Sequence, residues 1–165
     1  LPQTTTSTVA KKLIKLRQSH AVLRPVDFAY HTEIINEHTE NLQRVDLTWM
    51  DGQFGEMSHD AWHDGGRRLL GMYVSDETEA FLTWFNSGAE PQPLTLPTLP
   101  WGYGFEIVWH SADADEVPSG VLPALAEMTM PARSVVVMRV QVPTSTRELL
   151  ALQADAEPSS LDLLS

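Results

Sequence analysis

Residues 131–143 read PARSVVVMRVQVP, and Val135 to Val142 within them is the longest β-branched run of the chain. Val136, Met138, Val140 and Val142 recur with a period of two, the spacing that sets side chains on one face of a strand. The same period appears upstream. Val45, Leu47 and Trp49 alternate with Asp46 and Thr48 and run into the turn signal Asp51-Gly52. Leu70, Met72 and Val74 follow, then the run Ala80–Phe85. Leu94 and Leu96 sit between prolines, which suits a short edge strand. Phe105, Ile107 and Trp109 alternate again, and Phe28–Tyr30 is a weaker strand candidate. About seven short strands with turn signals between them predict an all-β fold, an antiparallel β-sandwich. Trp84 and Ile107 are expected in its core.

One helix precedes the strands. Ser7 or Thr8 can cap a segment running to about His20, in which Val9, Leu13 and Leu16 form a stripe widened by Ala10 and Ile14. Lys11, Lys12 and Lys15 cluster opposite, and Pro25 helps end the helix. The strands then occupy residues 26–142. Residues 143–165 form a tail in which 146–153 can make a short helix capped by Ser145 or Thr144, and the last eight residues are expected to fray.

A chain of 165 residues, 42% of them hydrophobic and five of them Trp, is enough for one domain with a proper core. Without cysteine it forms no disulfide and no thiolate metal site, which suits the cytoplasm. No apolar run approaches the length of a membrane span. The chain starts at Leu1 rather than Met and shows no signal-peptide pattern, so we read it as a piece of a longer protein. Net charge is −11, with nine acids and only Arg44 over residues 26–64. That surface repels phosphate backbones, so nucleic acid is not an expected partner. The five bases of residues 1–24 read as the solvated side of a packed helix.

Three stretches invite a chemical reading. HDAWH at 59–63 is one methylene short of the zinc-protease signature, but Gly65-Gly66 ends any helix straight after His63 and no third ligand is evident. It is expected to be one helical turn capped by Ser58, exposing His59 and His63 while Trp62 packs inward. His31, Glu33, Glu37 and His38 could flank a glycosidic bond, yet they lie in a polar stretch that reads as a solvated loop. Trp101-Gly102-Tyr103-Gly104 suggests an aromatic platform for sugar, or a turn that covers the core. Nucleophile-elbow, P-loop and dinucleotide-binding motifs are missing. Neither a catalytic constellation nor a metal or cofactor site is therefore expected.

Taken as an ordered set, several segments resemble glycogen-debranching enzymes of the isoamylase type, members of the α-amylase superfamily. Leu16, Arg17, His20, Leu23 and Arg24 match the end of the last barrel helix in that family. Trp49, Asp51, Gly52, Glu56, Met57 and Trp62 follow in the family's order, and Asn86, Pro93 and Leu96 match a later stretch. The resemblance covers about residues 9–142. Gln53-Phe54-Gly55 lengthens the loop before Glu56, and Arg67-Arg68 replaces a more apolar approach. By this resemblance, residues 1–25 are the last helix of a (β/α)₈ barrel absent from this chain and 26–142 the sandwich behind it. Such enzymes hydrolyse α-1,6 branch linkages in glycogen catabolism with carboxylates carried on the barrel. The expected role is then non-catalytic support, with the barrel as partner. A glucan-binding module is the second reading, with Trp62, Trp101 and Tyr103 as stacking candidates beside Trp49. Without a barrel, the helix stripe is expected to dock on the strands or to pair with a second copy of the chain.

Overall fold

The computed structural model describes residues 3–36, 40–53, 55–113 and 117–156, with side chains from residue 6 onward. Helix α1 (Gln3–Ser19) leads into a 3-10 turn at Ala21–Leu23. A hairpin of β1 (Glu33–Ile35) and β2 (Asn41–Val45) follows, then β3 (Leu47–Met50) and the short α2 (His59–His63). The rest is β4 (Leu69–Ser75), β5 (Ala80–Asn86), β6 (Gln92–Thr95), β7 (Gly104–His110), β8 (Val121–Pro123), β9 (Glu127–Met130), β10 (Ser134–Gln141) and α3 (Thr146–Ala156). Six strands make an antiparallel sheet in the order β3-β4-β5-β10-β7-β8, and β6 pairs with β9 in a separate two-stranded ladder. The mostly-β, antiparallel class is the one the alternation predicts. The layer facing the large sheet is only this narrow ladder with its flanking loops, and three helices accompany the strands.

The main core lies between one face of the six-stranded sheet, its inner face, and the β6–β9 ladder. Val136, Met138 and Val140 of β10 pack there with Leu82, Trp84 and Phe105, and they meet Leu94, Met128 and Met130 of the ladder. Val142 and Leu96 close the ends. Trp84 is fully buried, as the pattern predicts, whereas Ile107 is only partly buried against this cluster. The opposite, outer face carries a smaller cluster of Val22, Phe81 and Val137, edged by Leu16, Val74 and Trp109.

Three expectations fail, each for a physical reason. Leu47 and Trp49 of β3 and Leu70, Met72 and Val74 of β4 are half-buried, while Thr48, Met50, Leu69, Gly71, Tyr73 and Ser75 are the buried set. The strands thus turn the other face inward. Gly71 is on it because Trp84 lies across the strand: a Cβ there would stand 2.6 Å from the indole. Second, Phe28–Tyr30 is not a strand, and β1 and β2 form instead in the polar stretch read as a loop. Leu42 and Arg44 bury that hairpin's underside. The Arg44 guanidinium donates from Nη1 to the carbonyl of Pro143 (2.6 Å) and from Nη2 to those of Asp76 (2.8 Å) and Glu77 (3.1 Å), which offsets part of the burial cost, while its buried Nε has no partner among the described residues. Third, the alternation Phe105, Ile107, Trp109 does not stay on one face. Met138 pairs with Ile107 and Val137 with Trp109, so Val108 is an extra residue, a bulge that sends Trp109 to the outer side.

The helix expected at 146–153 runs to Ala156. Ser145 Oγ accepts the Glu148 N–H at 3.1 Å, and the Glu148 carboxylate accepts the Thr144 N–H at 2.8 Å, a reciprocal cap. Leu149 is fully buried, which holds the helix on the body.

Candidate functional site

By register, Trp49 shares the outer face with Met72 and Val74. It forms the floor of a groove of about 530 Å³ at the β3 edge of the sheet. The segment 29–31 makes one wall. Asp46, in the bend between β2 and β3, holds that segment by accepting the N–H groups of Tyr30 (3.3 Å) and Thr32 (2.7 Å). Between them His31 takes φ +60, a left-handed conformation that His adopts more readily than bulkier residues. Its ring is anchored by Nδ1 on the Leu47 carbonyl at 3.2 Å. A carbonyl only accepts, so Nδ1 carries a hydrogen and Nε2 of the neutral ring is an acceptor.

The other wall is the turn Glu56–Trp62. The Met57 N–H donates to the Trp49 carbonyl at 2.8 Å and ties this turn to the sheet edge. Ser58 caps α2 by accepting the Ala61 N–H at 3.1 Å. Trp62 leans edge-on against Trp49, with centroids 6.1 Å apart and planes at 79°, and stays 51% exposed. Glu56 faces His31 across the groove, its Oε1 3.9 Å from Nε2. The same oxygen accepts the Thr48 hydroxyl at 2.5 Å. The groove thus joins two perpendicular indoles, a phenol and two fixed polar groups.

The structure treats the sequence candidates unequally. HDAWH is a Ser58-capped turn with His59 and His63 exposed, but the inward residue is Ala61, not Trp62. The two imidazoles stack at 4.3 Å, and His63 Nδ1 lies 2.8 Å from the His59 carbonyl, so they do not converge on a common point. Among the described residues no group of three His, Asp or Glu could hold a metal ion. Trp62 and Trp49 are brought together, whereas Trp101 and Tyr103 do not line their groove. Trp101 packs on the core edge-on to Tyr73 at 5.3 Å, and its carbonyl accepts the Tyr73 hydroxyl at 2.7 Å. Gly102 allows this approach, since a Cβ there would stand 2.3 Å from Val140. Burial and the neighbouring Glu148 carboxylate raise the pKa of the half-exposed Tyr103. Glu33 is bound by Asn41 Nδ2 at 2.9 Å within the β1–β2 hairpin, and Glu37 and His38 lie outside the described residues. Sequence reasoning missed Tyr30, His31 and Glu56 as partners of Trp49, because the left-handed His31 and the Asp46 bend that bring them together leave no periodic signal.

A second feature lies on the outer face. Helix α1 meets the sheet in its C-terminal half: Leu16 packs beside Val22 and Phe81, and His20 Nδ1 meets Glu79 at 2.8 Å while its ring edge rests on Phe81. Along the helix Val9 and Ile14 (55%) are exposed, and beyond it so are Val26, Phe28 (84%) and Tyr30. Of eleven large apolar residues exposed in the described chain, six fall between Val9 and Ile35. Among the described residues no helix is long and apolar enough to cross a membrane.

No family model and no curated protein matches the chain. Among solved structures, the chain is similar to a point mutant of MutB in complex with glucose, at 16% identity over 79% of this chain and with a TM-score of 0.41; it spans 17% of that protein's length.

Proposed function

We propose that the chain is a non-catalytic accessory domain of a glycogen-debranching enzyme of the isoamylase type, in which α1 and the segment after it pack against the catalytic barrel. The observation that carries this reading is the concentration of exposed apolar side chains between Val9 and Ile35, two of them on α1 and four in the segment after it. A stripe of that kind gains roughly 1.5–3 kcal/mol per side chain when a partner covers it. The ordered resemblance over residues 9–142 supplies the identity of that partner. In this reading residues 1–25 belong to the barrel, 26–142 support it, and the branch linkage is cleaved by carboxylates outside this chain.

The test is to mix the chain with a debranching-enzyme barrel that lacks its own C-terminal domain. The barrel's thermal midpoint and its debranching half-life should both rise, and Leu13→Lys should abolish the rise. The chain alone should release no linear glucan from glycogen. An unchanged midpoint, or debranching by the chain alone, would sink the proposal. Self-association that Leu13→Lys removes would favour pairing of two copies through α1 instead.

A further inference from the structure

We infer that the groove beside β3 binds a neutral pyranose ring of an oligosaccharide. Its chemistry selects the ligand class. A pyranose presents an apolar face of C–H groups and a rim of hydroxyls, so it needs an aromatic surface next to fixed hydrogen-bonding groups. Trp62, half-exposed and braced edge-on by Trp49, offers such a surface, and Tyr30 stands at its border. Across from it, His31 Nε2, an acceptor when the ring is neutral, and the acceptor Glu56 Oε1 stand 3.9 Å apart. Two adjacent hydroxyls can each donate one hydrogen to this pair, His31 to one and Glu56 to the other. Both groups are oriented before a ligand arrives, His31 by the Leu47 carbonyl and Glu56 by Thr48, so little ordering entropy is lost on binding.

Charge and geometry narrow the class further. Residues 26–64, which build the groove, carry nine acids and one base, and that base, Arg44, is fully buried. The Glu56 carboxylate on the lining repels an anionic group, and Arg67 and Arg68 line the neighbouring cleft behind Met57 and Trp62 rather than this one. The indole planes stand at 79°, so they make a corner for one ring rather than a flat track for a long chain. Affinity should therefore change little once the oligosaccharide exceeds a few units. The site does not depend on the chain belonging to a larger enzyme, and its test needs no barrel.

The experiment is a titration of the isotope-labelled chain with maltohexaose, cellohexaose and chitohexaose, followed through the indole N–H signals. Saturable shifts of Trp49 and Trp62, with buried Trp84 unmoved, are expected with at least one of the three, which also identifies the linkage class. Trp62→Ala should weaken binding about tenfold, the loss expected of one stacked ring. Trp62→Tyr should restore part of it, and Glu56→Gln should weaken binding several-fold at an unchanged thermal midpoint. Absence of shifts with all three sugars up to about 10 mM overturns the inference, as does wild-type affinity in Trp62→Ala.

Discussion

The inner and outer faces of the six-stranded sheet are carried by the same strands, yet they are finished differently. On the inner face Trp84, Phe105 and Met138 are fully buried against the β6–β9 ladder, and a glycine at 71 makes room for the largest of them. On the outer face the buried cluster is Val22, Phe81 and Val137, bordered by residues that remain half in water. One face is closed by the chain itself. The other is covered in the middle by the end of α1 and left open at the β3 edge, where Trp49 and Trp62 line the groove. The difference teaches that the chain completes one side of the sheet as core, whereas the other side, where the binding groove is inferred, is left partly in water.

Substitutions can break or sharpen that division. Trp84→Ala should cost the most, roughly 3–5 kcal/mol in a denaturant titration, through lost transfer energy and the cavity left above Gly71. A cost near that of an outer-face change would mean the inner face is not the main core. The inner face also sets an alkaline limit. Burial pushes the Tyr73 phenol well above its usual range, so the folded state resists ionisation that the unfolded chain undergoes near pH ~10. Its contribution is fully present below that pH and is lost as pH rises toward the folded value. The stability of the native chain should therefore fall above pH ~10 more steeply than that of Tyr73→Phe, measured by urea unfolding at several alkaline pH values.

The outer face should respond more weakly. Val22→Ala removes two methyl groups from the cluster under α1 and should cost about 1 kcal/mol in the same titration. Leu13→Lys, on the half-exposed part of the helix, should change the stability of the isolated chain by less than about 0.5 kcal/mol. A larger loss there would show that α1 docks more tightly in solution than its end contacts provide.

The class of fold was legible because β10 places Val136, Met138, Val140 and Val142 on the core side, as their spacing says. Which face of β3 and β4 points inward was not legible. Both faces carry apolar groups, and the inner one hides its role behind Gly71, Thr48 and Ser75, chosen to fit under Trp84 or to hydrogen-bond. The β1–β2 hairpin was hidden for a related reason: Arg44 is buried because three carbonyls from distant segments converge on it, and composition cannot foretell such convergence. At the groove, Trp62 could be picked out from the sequence, but its partners could not. Trp101 shows the converse, an aromatic whose glycine neighbours suggested a platform and whose ring belongs to the packing against Tyr73.

The bulge at Val108 bears on how this chain can change over time. On either side of it β7 serves opposite faces, Ile107 one and Trp109 the other. Replacing Val108 by another β-former keeps that division, since Val108 is the residue that the β10 ladder leaves unpaired. Deleting it would leave Ile107 opposite Met138 and Trp109 opposite Val137 as consecutive pairs of a regular ladder, so Trp109 would stay on the outer side. At this position the protein should tolerate removal of the residue as well as its substitution.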